Sequence, residues 1–369
     1  MDKGLTLAAR GLWYLLMKWS YFVCLAFFLA SSIPMHSEAE SKSPSAPGRP
    51  PSAQDIQYLT ARYKEMFPQD TVLALVNNDI SYFKSHPELE LKDEFILAAI
   101  QFQHITLLEF FIRKNPKLIS GKSDGESWLC IAVKNNIAES ALKLIELGAM
   151  TNQRCKHGFL VLNYATFFRD AKAMKVLKAL LEAGANPNMR NNHDSTALHY
   201  VMDTINDIDR MPVVKLLVEY GAKIDATDRY RNSILLSGCM KDKADVVEYL
   251  IQKGVLLDNP SSYGLNCAHA ATILGNLETL KVLNKLNISL DEPDKNGNTP
   301  IQYARFGETR WRYTPDKNVL NYLRSLNIRM PTKRPKPIRE KIPWQIDYNK
   351  NPDDQIRDMT PWEKLEFQD

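Results

Sequence analysis

The chain has 369 residues, which is enough for two average domains or for one extended repeat array. Hydrophobic residues make up 44% and charged residues 24%, values that exclude a wholly disordered chain, a collagen and a multi-pass membrane protein. The formal charge of +4 is too close to neutral to require a nucleic-acid or anionic-membrane partner. Five cysteines are too few to form the disulfide framework of a small secreted scaffold.

The N-terminal segment has the pattern of an export signal. Three basic residues precede the apolar stretch at 21–33, which carries no charge. The length of that stretch is typical of a signal-peptide core and is short of a membrane span. Small residues suit a cleavage site after residue 39, and residues 30–32 offer a second candidate. We therefore predict a signal peptide over residues 1–39.

A second interpretation of the same segment is an uncleaved membrane anchor. The apolar run can be extended back to Leu12, and it then contains Lys18 as its single charge. Both interpretations place everything after residue 40 across the membrane, because the basic flank stays on the cytoplasmic side. Residues 40–54 are rich in Ser, Pro and Ala, which predicts a disordered linker.

A regular repeat organises the middle of the chain. Gly148, Gly184, Gly221 and Gly254 are each followed by Ala or Val and preceded by an apolar, helix-like stretch. Asn115 and Asn287 occupy the same position at either end, which gives successive spacings of 33, 36, 37, 33 and 33. Glycine or asparagine suits a helix C-terminus that enters a left-handed turn.

A second marker runs in phase with the first. Short segments that end in a predicted helix start begin at residues 125, 158, 194, 231, 264 and 297, and the clearest are Thr-Ala-Leu-His at 196–199 and Thr-Pro-Ile-Gln at 299–302. With the Gly-Ala pairs, this pattern resembles the ankyrin repeat family over residues 55–330. The resemblance implies an all-α solenoid of about six to seven helix-turn-helix repeats with short β-hairpin fingers, in which stacking of neighbours builds one core.

The domain prediction follows this phase. It consists of an N-terminal cap at 55–91, repeats at about 92–124, 125–157, 158–193, 194–230, 231–263, 264–296 and 297–330, and an extended tail at 331–369. Three units are longer than the others, and their insertions are predicted between the two helices, around residues 168–171, 204–211 and 308–316. The tail changes from net +4 over 331–341 to net −4 over 342–369, which also holds Trp344 and Trp362. It either folds back on the last repeat or engages a partner.

No recognised catalytic motif occurs in the sequence. The phosphate-binding, dinucleotide-binding, H-E-x-x-H, C-x-x-C and G-x-S-x-G patterns are all absent. We predict no enzyme, no catalytic residue, no metal site and no cofactor. The family resemblance gives His199 and His269 structural hydrogen bonds. Small buried positions are expected for Cys130, Cys239 and Cys267, Cys155 is expected to be reachable near a finger tip, and a disulfide among these four is left open.

The resemblance also implies where a partner binds, since ankyrin proteins use their finger tips and the exposed edge of the first helices on the concave face. Aromatic, Met and Arg side chains are enriched at the centres of such interfaces. The candidate contact residues are Lys156, His157, Phe159, His193, Arg229, Tyr230, Tyr263, Lys295 and Asn296 on fingers, Lys134, Phe167, Met202, Met240 and Arg305 on helix edges, and Trp311 in the last insertion. Alternatively, some of them, such as Phe159 and Phe167, cover neighbouring helices.

The predicted function is that of an exported module that captures one protein partner, located in the bacterial periplasm. Similar periplasmic ankyrin proteins act as inhibitors or immunity partners of toxins, or as accessory factors of envelope enzymes. The alternative is a structural scaffold anchored in the inner membrane and facing the periplasm, and a secreted protein is a further alternative. We expect no nucleic-acid partner, and membrane contact only if the N-terminal segment is uncleaved.

Overall fold

The computed structural model describes residues 53–167, 170–192, 194–203, 210–229, 231–257, 264–306 and 316–336. The predicted signal peptide, almost all of the linker and most of the tail lie outside these ranges. None of the helices within them is long and apolar enough to cross a membrane.

The regular secondary structure of the described residues is almost entirely helical. One small antiparallel ribbon pairs β1 (Lys122–Ser123) with β2 (Glu126–Ser127). The seventeen α-helices of these ranges are, in chain order, α1 Ala53–Lys64, α2 Gln69–Val76, α3 Ile80–Ser85, α4 Asp93–Gln101, α5 Ile105–Lys114, α6 Trp128–Lys134, α7 Ala138–Glu146, α8 Val161–Ala165, α9 Ala171–Glu182, α10 Ala197–Asp203, α11 Met211–Glu219, α12 Ile234–Met240, α13 Ala244–Gln252, α14 Cys267–Leu274, α15 Leu277–Lys285, α16 Pro300–Phe306 and α17 Lys317–Ser325.

The helices pack as pairs in two layers, which confirms the predicted all-α solenoid. From α4 onward the first helix of each pair, which we call the inner helix, contacts the inner helix of the next pair. Among the second, or outer, helices, α5, α7 and α9 contact one another in order, and so do α11, α13, α15 and α17. The segment predicted as an N-terminal cap contains a further pair, α2 and α3, that stacks on α4 and α5. Each layer therefore buries the apolar face of its neighbour.

The left-handed turn predicted after the outer helices is present at four glycines and at one of the two asparagines. Gly148 has a φ of 89°, and the following residue, Ala149, donates its N–H to the Leu144 carbonyl, which closes the helix end. Asn287 adopts the same turn with a φ of 58°. The prediction is wrong for Asn115, whose φ is −136°. Pro116 follows it and disfavours a helical backbone at the preceding residue.

One continuous apolar core runs from the N-terminal cap to the last repeat. Leu217 and Leu250, four residues before their turn glycines, are completely buried, as the repeat phase predicts. The helix bounds also place the three insertions between an inner and an outer helix, as predicted. Residues 168–169, 204–209 and 307–315 of these insertions lie outside the described residues.

Two disulfide bonds link inner helices to the finger or the inner helix that follows them. Cys130 on α6 pairs with Cys155 in the following finger, and their Cα atoms are 5.6 Å apart. Cys239 on α12 pairs with Cys267 on α14, with Cα atoms 5.5 Å apart. The prediction that Cys155 is reachable is wrong, because its bond to an inner helix turns the side chain inward and leaves it 6% exposed.

Candidate functional site: the finger surface

The loops that precede the inner helices form a row of fingers along one side of the array. We call the fingers at residues 151–160, 187–196, 223–233 and 289–299, together with the exposed edges of the inner helices, the finger surface. Two isolated bridges, between Arg154 and Leu160 and between Thr227 and Ser233, give the first and third of these fingers a hairpin geometry.

Two arginines link neighbouring fingers. The Nη2 atom of Arg154 donates to the Arg190 carbonyl at 2.8 Å, and Nη1 of Arg190 donates to the Thr227 carbonyl at 2.6 Å. Sequence reasoning missed both residues. The available signal was their equivalent place, four residues before the left-handed residues Gly158 and Asp194. These bonds fix the spacing of three successive fingers.

Side chains of the next finger approach closely at two glycines that precede inner helices, Gly158 and Gly264. A Cβ on Gly158 would lie 1.8 Å from the Asn192 amide, and one on Gly264 would lie 2.3 Å from Cγ of Lys295. Both glycines also have a positive φ, which an L side chain rarely adopts. Glycine therefore lets each of these fingers stack against the next one.

The described finger candidates are either half-buried or exposed. Lys156 is half-buried in a short 3₁₀ turn, and its N–H donates to Oε1 of Glu126 at 3.2 Å. Arg229 and Lys295 have exposed side chains, and Asn296 is half-buried. The side chain of His157, and His193, Tyr230, Tyr263 and Trp311 entirely, lie outside the described residues.

The helix-edge candidate Lys134 is buried, contrary to the prediction. Its Nζ atom lies 3.4 Å from Oε2 of Glu126, and both side chains are less than a tenth exposed. A buried charge without a partner strongly destabilises the folded protein, so the two buried side chains must stay paired. Lys134 therefore folds back on β2 and is not offered to a partner.

Met202 is also buried, and the prediction that it lies on the helix edge is wrong. The residues equivalent to it in other repeats, Val133, Thr166, Cys239 and Thr272, are buried as well. This position faces the next repeat. Met240 at the end of α12 and Phe167 just after α8 each stand one residue further along the chain and are half-buried at the edge. The error was a shift of one residue, because the equivalent of Met240 in this repeat is Asp203.

Arg305 occupies the Met202 position of the last described repeat, but it is exposed, because no further inner helix follows α16 among the described residues. Residues 331–336, which we call the strap, cross α16 instead. Three side chains one turn apart bind the backbone of the strap: Asn298 pairs with both the N–H (2.7 Å) and the carbonyl (3.0 Å) of Lys336, Gln302 donates to the Lys333 carbonyl, and Arg305 donates to the Pro331 carbonyl. Arg305 thus holds the tail at the end of the array.

An aromatic group lies where two repeats meet on the finger surface. The Phe159 ring centroid is 5.7 Å from that of Tyr164 and 5.6 Å from that of Tyr200. Tyr164 is buried, and burial raises the pKa of its hydroxyl. Phe159 and Tyr200 are half-buried. Each packs against a neighbouring ring and leaves part of its own ring exposed to solvent. Sequence reasoning missed Tyr200, although it follows His199 directly.

The two inner-helix histidines make structural hydrogen bonds, as predicted. Nε2 of His269 lies 2.9 Å from the Asn298 carbonyl of the next finger, and Nδ1 of His199 lies 2.9 Å from Oγ1 of Thr196. Burial lowers the pKa of His199 to about 4 and lowers that of His269 as well. Both rings are therefore neutral at pH 7.

Comparison with known proteins agrees with this geometry. The family model described as "Ankyrin repeats (3 copies)" matches residues 162–259. The crystal structure of the ankyrin repeat domain of Bcl-3 has a TM-score of 0.51 to this chain with 22% sequence identity, over 62% of this chain and 96% of that one. At that identity the likeness concerns the fold alone.

Two curated relatives match over shorter stretches. The intracellular phospholipase A2 of Caenorhabditis elegans is 26% identical over 179 residues, or 47% of this chain and 16% of the relative. A putative ankyrin repeat protein of fowlpox virus is 42% identical over 57 residues, or 15% of this chain and 10% of the relative. The chain thus spans less than a fifth of either relative. Residues 162–259 therefore match ankyrin repeats, and the stacked helix pairs, the fingers and these matches support the ankyrin repeat family for the chain.

Proposed function

We propose that this protein is exported and captures a single protein partner on its finger surface. Ankyrin repeats form protein–protein interaction modules, and the fold is typically a binding scaffold without enzymatic activity. The observation that carries the proposal is the row of fingers held in register by Arg154 and Arg190. A surface that is already ordered loses little conformational entropy when a partner binds.

The disulfide bonds support the export half of the proposal. Structural disulfides form and persist in oxidising compartments and are rare in the cytosol. Two such bonds together with the basic and apolar N-terminal segment favour a translocated chain. The proposed location is the bacterial periplasm, where the protein would serve as an inhibitor, an immunity partner or an accessory factor of an envelope enzyme. The second candidate is a scaffold anchored in the membrane by an uncleaved N-terminal helix, which is favoured if the apolar run is counted from Leu12.

Export is tested by fusing residues 1–60 to a reporter that is active only outside the cytoplasm. We expect activity, and a silent fusion would overturn the proposed location. The mass of the purified protein then separates the two candidates, because loss of the segment 1–39 supports cleavage and an intact N-terminus supports the anchored scaffold.

Binding is tested by capture from the envelope fraction with the full chain as bait. Central aromatic or Arg contacts typically cost about 2 kcal/mol or more when truncated, so Arg229→Ala and Tyr230→Ala should each weaken capture about 30-fold. Lys175→Ala on the exposed face of α9 is the matched control and should bind normally. Normal capture by both finger variants, combined with loss of capture in Trp311→Ala, would move the site to the last insertion.

A further inference from the structure

The strap shows where the C-terminal tail leaves the described part of the chain. Lys336 is held by Asn298, at the end of the finger that precedes α16. The chain has therefore crossed from the end of the outer helix α17 to the finger side of the array. The rest of the tail, residues 337–369, begins beside the finger surface and not beside the outer helices.

The strap and the finger beside it carry opposite charges. The strap exposes Lys333, Arg334 and Lys336, and the adjacent finger exposes Asp291 and Glu292. The basic strap therefore lies against a finger that carries exposed carboxylates.

The fingers further along carry positive charge. The guanidinium groups of Arg154 and Arg190 pair with backbone carbonyls and, in Arg154, with an asparagine amide oxygen, none of which has a net charge. The next finger has Lys223, Arg229 and Arg231 against Asp225 and Asp228, and Asp194 opposes Arg190 on the finger before it, so the three fingers together carry a net charge of +3. Residues 342–369 contain seven carboxylates against three basic residues. The two surfaces are therefore complementary in charge.

The distances also agree. Stacked helices lie about 8–10 Å apart, so the finger with Arg229 and Arg231 is about 20 Å from the finger that holds Lys336. Six fully extended residues span at most about 20 Å, so residue 342 can reach that finger and the carboxylates from Asp347 onward can reach the fingers beyond it. Trp344 and Trp362 of the tail are the kind of side chain that anchors an interface.

We propose that residues 342–369 dock on the finger surface of their own chain, across the fingers that carry Arg154, Arg190, Arg229 and Arg231. The tail then occupies the surface assigned above to the partner, and a partner must displace it. The inference rests on that surface, but its test needs no partner, so the two proposals can fail separately.

The test is zero-length carbodiimide coupling of the full chain at low protein concentration, with the linked residues identified by mass spectrometry. We expect carboxylates of residues 347–369 to couple to Lys156 and Lys295 on the fingers and not to Lys175 and Lys178 on α9. Coupling should fall at least threefold in 1 M NaCl, because the Debye length there is about 3 Å.

Charge reversal gives the matched comparison. Arg229→Glu combined with Arg231→Glu should lower the coupling of the tail to Lys156 at least threefold. Lys175→Glu combined with Lys178→Glu makes the same change of charge on α9 and should leave it unchanged. Equal coupling to finger and outer-helix lysines, or no effect of the finger reversal, would overturn the proposal. Tail links found only between two copies would overturn it too, because the occupant would then be a second chain.

Discussion

The internal repeats and the last repeat place equivalent residues in opposite environments. Met202, Cys239 and Thr272 are buried against the next repeat, whereas Arg305 at the same position is exposed and binds the strap. The position one turn earlier on the helix differs as well, since the histidine of two internal repeats is replaced by Gln302 in the last one. The repeat phase therefore identifies a position, but the neighbour on the open side decides its environment.

The sharpest way to break this comparison is to exchange the residues at the two positions. Met202→Arg puts a charge with no counter-ion between two repeats, and we expect it to lower the free energy of unfolding by about 5 kcal/mol. Arg305→Met, the reciprocal change at the open end, should cost less than about 1 kcal/mol. Urea unfolding followed by circular dichroism measures both. Equal costs would show that the two positions are not distinguished by a neighbour.

A cavity in the outer layer tests the internal stacking directly. Leu217 is completely buried between outer helices, so Leu217→Ala should cost roughly 2–5 kcal/mol. Leu326→Ala, at the half-buried end of the last repeat, is the control and should cost clearly less. The same urea titration reports both values, and a smaller loss for the internal variant would contradict a continuous core.

Disulfide bonds cross-link the internal repeats, whereas the strap is held by hydrogen bonds. Replacing Cys239 and Cys267 together by Ser should lower the free energy of unfolding by about 2–4 kcal/mol, because the unfolded chain is no longer restricted by the cross-link. A reducing agent should destabilise the unchanged protein further than the double variant, which retains one disulfide. Free thiols at Cys239 and Cys267 in the oxidised, folded protein would rule out the pairing.

Acid should affect the internal repeats through their buried histidines. The folded pKa of His199 is about 4, below the value of 6.5 in an unfolded chain, so the unfolded state binds more protons between these pH values. The contribution of neutral, buried His199 to the free energy of unfolding is therefore fully present above pH 6.5. It is lost as the pH falls toward 4, by up to about 1.4 kcal/mol per pH unit. His199→Gln, which copies the last repeat, should flatten the profile between pH 6.5 and 5. An unchanged profile would mean that other groups cause the acid sensitivity.

Sequence pattern alone determined the repeat phase of this protein. The turn glycines and the buried leucines such as Leu217 follow from local requirements, namely a positive φ and an apolar side chain on the packed face, whereas the structural role of His269 was implied by the resemblance to ankyrin repeats. These requirements recur in every unit, so the period of the sequence reveals them. The same reasoning placed the insertions between helices, because a loop there disturbs neither stacked layer.

The tertiary structure alone decided what lies across from each position. The pairing of Cys130 with Cys155, the ion pair that buries Lys134, the finger links of Arg154 and Arg190 and the strap on Arg305 all join residues from separate elements. No local pattern encodes such contacts, since they depend on which side chains the stacking brings within a few ångströms. The one-residue error at Met202 has the same origin: two adjacent positions of an inner helix look alike in sequence, and only the next repeat covers one and leaves the other at the edge.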